Sequence, residues 1–218
     1  MKSKNSKTSS TFFNLLRNPY FFIAYLSVVV ISFLFWDKPL ATFFYNHPLT
    51  VTENNIVHCI NGFGVGLMYV FILPILVFIL QRLHKIRAAK QCLFLWVAIL
   101  FSGLICDILK IVLGRTRPEL WLQFPEIHHY GFQWFQLHAS SWSFPSGHTT
   151  VITTFMMGLS FFKPRYTILW VCAAIVVSSM RLVLFQHHLS DVLAAFYLAA
   201  FCTQFLYTFW IKKWGRLA

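Results

Sequence analysis

The chain has 218 residues, of which 58% are hydrophobic and only 11% charged, against about 25% charged in an ordinary soluble domain. A mean hydropathy of +0.64, with 25 Phe and 8 Trp, excludes a disordered, collagenous, coiled-coil or disulfide-scaffold protein. The net charge of +12 leaves three readings: a nucleic-acid partner, anionic lipid, or the charge asymmetry of a membrane topology.

Six segments approach the roughly 20 mainly apolar residues that a helix needs to cross a bilayer. In chain order they run from Tyr20 to Trp36, Phe63 to Leu80, Gln91 to Leu113, Ser146 to Phe162, Tyr166 to Phe185 and Leu189 to Ile211. The third carries Asp107 and Lys110 near its end, the fourth is short, the fifth contains Arg181 and the sixth Asp191. Pro74 is expected to kink the second, since it removes a backbone donor and crowds the preceding turn. The pattern predicts an all-α, six-transmembrane-helix bundle over residues 20–211, preceded by a basic segment 1–19 and followed by a basic tail 212–218. Trp36-Asp37-Lys38-Pro39 offers no small-x-small cleavage site after the first span, so a retained anchor is expected. Cys59, Cys92, Cys106, Cys172 and Cys202 form no CxxC pair and read as small hydrophobic residues.

The sidedness of the charges chooses among the three readings. With the N-terminus inside, Lys2, Lys4, Lys7, Arg17, Arg82, Lys85, Arg87, Lys90, Lys163, Arg165, Lys212, Lys213 and Arg216 are cytoplasmic, 13 of the 18 basic residues. Lys38, Lys110, Arg115, Arg117 and Arg181 fall outside, together with all six acids, Asp37, Glu53, Asp107, Glu119, Glu126 and Asp191. This obeys the positive-inside rule and predicts that both termini are cytoplasmic, which removes the main support for nucleic acid. Trp36, Trp121, Trp134, Trp142, Trp210 and Trp214 fall near the predicted interfaces, as an aromatic belt would.

Ionisable groups within spans are costly, and here they gather at the outer ends of the third to sixth helices. Lys110 and Arg117 are seven residues apart; if the helix continues that far they share one face, with Pro118 ending the element, and suit an oxyanion such as phosphate. They also read as basic side chains snorkelling to the interface. Pro145-Ser146-Gly147-His148 opens an apolar run: Ser146 caps the helix, Gly147 admits a ligand, the free N–H groups attract an anion, and His148 stands beside it. An ordinary cap with an incidental His is the plainer reading of these residues taken alone. His187 and Asp191, at i and i+4, share a helix face on which the carboxylate can orient the imidazole, and a turn must bring Arg181 round to them. A buried His–Asp bond tying the helix end is the plainer reading of that pair.

Taken together, Lys110-x6-Arg117-Pro118, Pro145-Ser146-Gly147-His148 and Arg181-x5-His187-x3-Asp191 resemble the three-part signature of the type 2 phosphatidic acid phosphatase (PAP2) family, in its membrane lipid phosphatase branch. One departure is Met180, where the family usually has Ser; Ser179 lies one place earlier. The resemblance implies a metal-independent, cofactor-free, two-step phosphoryl transfer. In it His187 is the nucleophile, Asp191 orients it and His148 is the acid and then the base. Lys110, Arg117, Arg181, Ser146 and the Gly147 backbone bind the phosphate, and Arg115 is a lesser assistant. His128, His129 and His138 match no zinc spacing, and their loop reads as an interfacial cover over the site, with Trp121, Tyr130 and Trp134 nearby.

The expectation is therefore a multi-pass protein of a bacterial cytoplasmic (inner) membrane whose site faces outward. Its partners are membrane lipids and a lipid phosphate substrate: undecaprenyl diphosphate, phosphatidylglycerophosphate or phosphatidate, or a lipid A phosphate. A lipid-to-lipid phosphotransferase is the alternative within the class. A transporter or channel subunit is the alternative outside it, although the paired, broken helices of inverted repeats are not evident. The sequence names no protein partner.

Overall fold

The structure, a computed structural model, describes residues 14–214; Lys2, Lys4, Lys7 and Arg216 of the charge pattern lie outside the described residues, as does the Trp214 side chain. Helix α1 (Pro19–Ile31) starts where Asn18 accepts from the Tyr20 N–H and Pro19 occupies the first turn, where its missing donor costs nothing. It does not stop at Trp36. A π turn over Ser32–Trp36 carries it into α2 (Asp37–Asn46), and the wider turn falls just before Pro39, which has no N–H to give to the carbonyl four residues back.

Helix α3 (Val51–Gly62) opens with a capping box, Thr50 accepting from the Glu53 N–H while Glu53 accepts from the Thr50 N–H. This helix lies before the second expected span, Phe63 to Leu80, and outside all six expected segments. A 45° bend separates it from α4 (Gly66–Arg82), which continues through Pro74; the recorded break lies upstream of that proline, beside Gly62 and Gly64. The 28-residue α5 (Ile86–Leu113) ends at Gly114, whose φ of +46° turns the chain out of the helix. A short α6 (Pro118–Gln123) follows, then α7 (Gly147–Phe162), α8 (Thr167–Val183) and α9 (Leu189–Trp214).

Among the described residues, four helices are long and apolar enough to cross a membrane: Pro19–Asn46, Ile86–Leu113, Pro164–Val183 and Leu189–Lys213. The bent pair Val51–Gly62 and Gly66–Arg82 makes a fifth, and α7, at 16 residues, falls short of a full span. The surface has the inverted pattern of a membrane protein: Leu26, Phe71, Phe78, Leu104, Ile108 and Ile168 are exposed, whereas Thr149, Thr150, Thr154, Ser178, Thr203 and Gln204 are buried. Exposed apolar residues on these helices suit hydrocarbon, and several buried hydroxyls pair between or within helices: Ser102 with Thr154 at 2.9 Å, and Thr150 and Thr203 with carbonyls one turn back.

Helix α5 packs on α4, α7 and α9, and α7 also packs on α8. Their core centres on Phe94, Leu95, Ala98, Ile99 and Val151. Trp210 belongs to this core, edge-on to Phe94 and 7% exposed, so it is not part of an interfacial belt. All five cysteines are free thiols; Cys106 and Cys202 are buried, while Cys59 and Cys172 are exposed. Close approach of α5 and α7 depends on Gly158, where an added Cβ would overlap Leu95 Cδ2. Gly158→Ala is expected to cost about 1–3 kcal/mol through overpacking. A thermal unfolding midpoint in detergent equal to that of the native protein would refute this close-packing account.

Candidate active site

Helix α5 stops at Leu113, so Lys110 and Arg117 do not share a helix face, and Pro118 begins α6 instead of ending an element. Residues 114–117 turn into an extended stretch held by isolated bridges from Arg115 to Phe132 and Trp142. The loop after α6 closes over this stretch. Its N–H groups at Gln133, Trp134, Phe135 and Gln136 bond to the carbonyls of Gly114, Leu113, Val112 and Ile111, satisfying acceptors that the helix end leaves free. Arg117 therefore reaches the site from a short extended segment, with its Nε buried and without a partner. Lys110, on the last turn of α5, holds Asp107 at 2.8 Å.

Ser146 is the N-cap of α7, as its sequence context predicts. It is fully buried, and its Oγ accepts from the Thr149 N–H and hydroxyl. Gly147 follows at the first helical position, and the need for glycine is steric: a Cβ there would lie 2.8 Å from Lys110 Nζ. The ammonium thus rests against the first turn of the helix, at the positive end of its dipole, where an anion is favoured. His148 packs on Gly64 in the α3–α4 break; a Cβ at Gly64 would lie 3.0 Å from its ring. Asn61, one turn before that break, accepts from Arg181 Nη1 at 3.2 Å. Arg181 is 4% exposed, and its Nε is also buried without a partner. Ser179 does not replace the Ser missing at Met180, because its hydroxyl bonds back to the Val176 carbonyl of its own helix.

His187 lies in the turn before α9 and is 4% exposed. Its Nδ1 is 2.7 Å from the Ser143 carbonyl. A carbonyl only accepts, so the proton of the neutral ring sits on Nδ1, and Nε2 keeps its lone pair. Asp191 Oδ2 is 3.7 Å from the same Nδ1, beyond a hydrogen bond. It instead accepts from Ser143 Oγ at 2.6 Å and from the His188 N–H at 2.8 Å. Asp191 thus connects to His187 through Ser143, whose hydroxyl donates to the carboxylate and whose carbonyl contacts the imidazole. Burial first, then the charges of Arg181, Arg117 and Lys110, hold the His187 pKa well below the usual imidazole value.

Arg115 is occupied by two carboxylates. It is fully buried, ion-paired to Asp191 through Nη1 and to Asp37 through Nη2, the latter at 2.7 Å. Asp37, an outer-interface charge in the sequence reading, is 1% exposed. It accepts from the Ser190 N–H at 2.9 Å and from the Ser190 hydroxyl. Phe33, Tyr130 and Phe132 surround the Arg115 guanidinium, and Tyr130 donates to the Phe33 carbonyl at 2.7 Å. The outer loop therefore covers this ion network, and Trp134, Phe135 and Leu137 are exposed on it. Sequence reasoning missed Asn61, Gly64, Ser143 and Asp37; a buried carboxylate next to a π turn is a signal visible only in the fold.

His188 is buried beside His187, with Nε2 3.3 Å from the Thr116 carbonyl. Burial and Arg115 push its pKa from the usual 6.5 to about 3. Both imidazoles are neutral in the folded protein and protonate near 6.5 once unfolded, so the unfolded state binds more protons as pH falls below 6.5. Stability is then lost from pH 6.5 downward, by about 2 kcal/mol at pH 5 for a group shifted as far as His188. A detergent-solubilised sample should melt at a distinctly lower temperature at pH 5 than at pH 7. Equal midpoints would contradict neutral, buried imidazoles at 187 and 188.

A helical membrane protein that collects three cations, a helix N-terminus and two imidazoles at one end of its bundle is of the class that binds an oxyanion and can transfer it. The PAP2 superfamily profile matches residues 91–214, and the chain belongs to that family. It is 30% identical over 183 residues to a lipid A 1-phosphatase of Rhizobium etli, covering 78% of this chain and 75% of the relative. A lipid A 1-phosphatase of Rhizobium johnstonii is 28% identical over 183 residues, with 78% and 71% covered. The crystal structure of a transmembrane PAP2-type phosphatidylglycerolphosphate phosphatase from Bacillus subtilis superposes with a TM-score of 0.49 at 18% identity, covering 94% of this chain and 96% of that one.

Proposed function

We propose that the protein is an integral-membrane phosphatase of lipid phosphates, and that its substrate is a lipid A phosphate, the class on which its named relatives act. The observation that carries the chemistry is the His187 tautomer: Nδ1 is tied to the Ser143 carbonyl, so Nε2 is the free nucleophile, under the charges of Arg181, Arg117 and Lys110.

In the first step Nε2 bonds to phosphorus and the bond from phosphorus to the lipid oxygen breaks. His148 gives its proton to that oxygen. In the second, His148 takes a proton from water, the water oxygen bonds to phosphorus, and the N–P bond breaks to restore His187. The products are the lipid alcohol and inorganic phosphate. Lys110, Arg117, Arg181, the Ser146 hydroxyl and the Gly147 N–H hold the non-bridging oxygens as charge spreads over them. The buried, unpartnered Nε atoms of Arg117 and Arg181 support this role.

The reading also includes a single membrane domain over 20–211 with six crossings, both termini cytoplasmic, and the site at the outer, periplasmic ends of the helices. The side distribution of Lys and Arg supports it. The test is phosphate release by purified protein from a panel containing lipid A 1-phosphate, undecaprenyl diphosphate, phosphatidylglycerophosphate and phosphatidate. Preference for lipid A supports the substrate assignment, and preference for another lipid phosphate overturns it while leaving the phosphatase class intact. Solute flux across sealed vesicles without phosphate release would overturn both.

A further inference from the structure

Arg115 presents an electrostatic difficulty that the three motifs do not resolve. When Nε2 of His187 bonds to phosphorus, the ring becomes cationic, and a nearby negative charge lowers the barrier. Asp191 is the nearest carboxylate, with Oδ2 3.7 Å from Nδ1, but its other oxygen is paired with the fully buried Arg115 guanidinium. An isolated Arg115–Asp191 pair is neutral, and its charge would be cancelled where the reaction needs it.

Asp37 removes the difficulty. It lies outside all three motifs, at the start of α2 directly after the π turn, and its side chain is fully buried. Nη2 of Arg115 donates to its Oδ2 at 2.7 Å. Arg115 Nη1 also donates to Ser190 Oγ at 2.7 Å, and that hydroxyl donates to Asp37. Two carboxylates and one guanidinium give the cluster a net charge of −1, built from two carboxylates that flank one guanidinium. Through Asp191 the cluster reaches Ser143 Oγ and the His188 N–H, and through the Ser143 carbonyl it reaches His187 Nδ1.

Resting on the phosphohistidine reading above, we propose that Asp37 is a positioning residue for His187: it takes up the charge of Arg115, so that Asp191 keeps a net negative charge behind the nucleophile. Arg115 fastens three segments together, and Asp37 prevents that fastening from neutralising the orienting carboxylate. The first span thereby contributes to chemistry that the motifs place entirely in residues 110–191.

The experiment compares purified native protein, Asp37→Asn, the double variant Asp37→Asn/Arg115→Gln and His187→Ala, using a lipid A 1-phosphate substrate. The folded fraction of each is isolated by size exclusion, and kcat and KM are measured separately. Asp37→Asn leaves the cluster neutral, and kcat should fall about 100-fold with little change in KM. The double variant restores a net charge of −1 while losing both partners, and should recover at least tenfold of that loss. A merely structural role predicts the reverse order, with the double variant the poorer enzyme; that order, or a native kcat for Asp37→Asn, overturns the proposal. If Asp37→Asn does not accumulate, the double variant decides alone: kcat within about tenfold of native supports the charge account, and a fall beyond about 100-fold in folded protein overturns it. His187→Ala separates the two layers. Turnover in that variant would defeat the nucleophile assignment, whereas an inactive His187→Ala beside a fully active Asp37→Asn would defeat only the role of Asp37.

Discussion

Purified His187→Ala protein should release phosphate from its lipid substrate at least about 10⁴-fold more slowly than the native enzyme, the scale expected when a nucleophile is removed from a unit of interdependent groups. The imidazole is almost fully buried, and its Nδ1 is tied to the Ser143 carbonyl, which holds the ring with its free lone pair on Nε2. Insertion should survive, because His187 lies in the turn between α8 and α9 and contributes no apolar lipid-facing surface. A second readout concerns the intermediate. With a substrate bearing a good leaving group, His148→Ala should accumulate a phosphoenzyme that is stable to base and labile to acid, since the water of the second step lacks its base. Substantial turnover by His187→Ala, or a phosphoenzyme with the stability of a phosphoserine, would refute the mechanism.

The largest expected effect on stability is that of Arg115→Met. Asp37 and Asp191 are both fully buried, and Arg115 neutralises one of their two charges. Without it two carboxylates remain fully buried with no cation between them, and removing one partner of a buried ion network costs about 3–5 kcal/mol. The loss should appear as poor accumulation in the membrane, or as a much lower unfolding temperature in detergent. Asp37→Asn introduced as a second change should recover part of it, by removing one of the two unpaired charges. A native melting temperature for Arg115→Met would show that the buried network contributes nothing to holding the first span.

Much of the site was legible because its residues break a simple rule. Lys110, Arg117, His148, Arg181, His187 and Asp191 stand at or beside the ends of apolar segments, where an ionisable group is costly without a purpose. The cap at Ser146 could also be read, since Ser before an apolar run is a local signal that tertiary packing rarely overrides. The reading went astray where it extended helical periodicity past a breaker. Gly114 takes a positive φ and ends α5, so the two-turn spacing of Lys110 and Arg117 has no helical meaning. Arg115 reads under the family resemblance only as a lesser assistant at the phosphate, and only the fold reveals the two carboxylates that pair with it.

Asp37 shows why such partners were hidden. Beside Trp36 and Lys38 it looks like an ordinary interfacial charge, and its partner Arg115 is 78 positions away. Asn61 lies just before the second apolar segment and Gly64 just inside its start, and the bend there brings them against Arg181 and His148. The sequence by itself determined the membrane class, the apolar segments, the charge asymmetry between their ends and the motif residues. Each is a sum over neighbouring residues, and transfer free energy is additive along a chain. The tertiary structure alone decided which charges meet, which tautomer His187 adopts and which arginine is free for an anion. Those outcomes depend on hydrogen bonds and ion pairs between segments far apart in sequence, whose strength is set by burial and separations of a few ångströms.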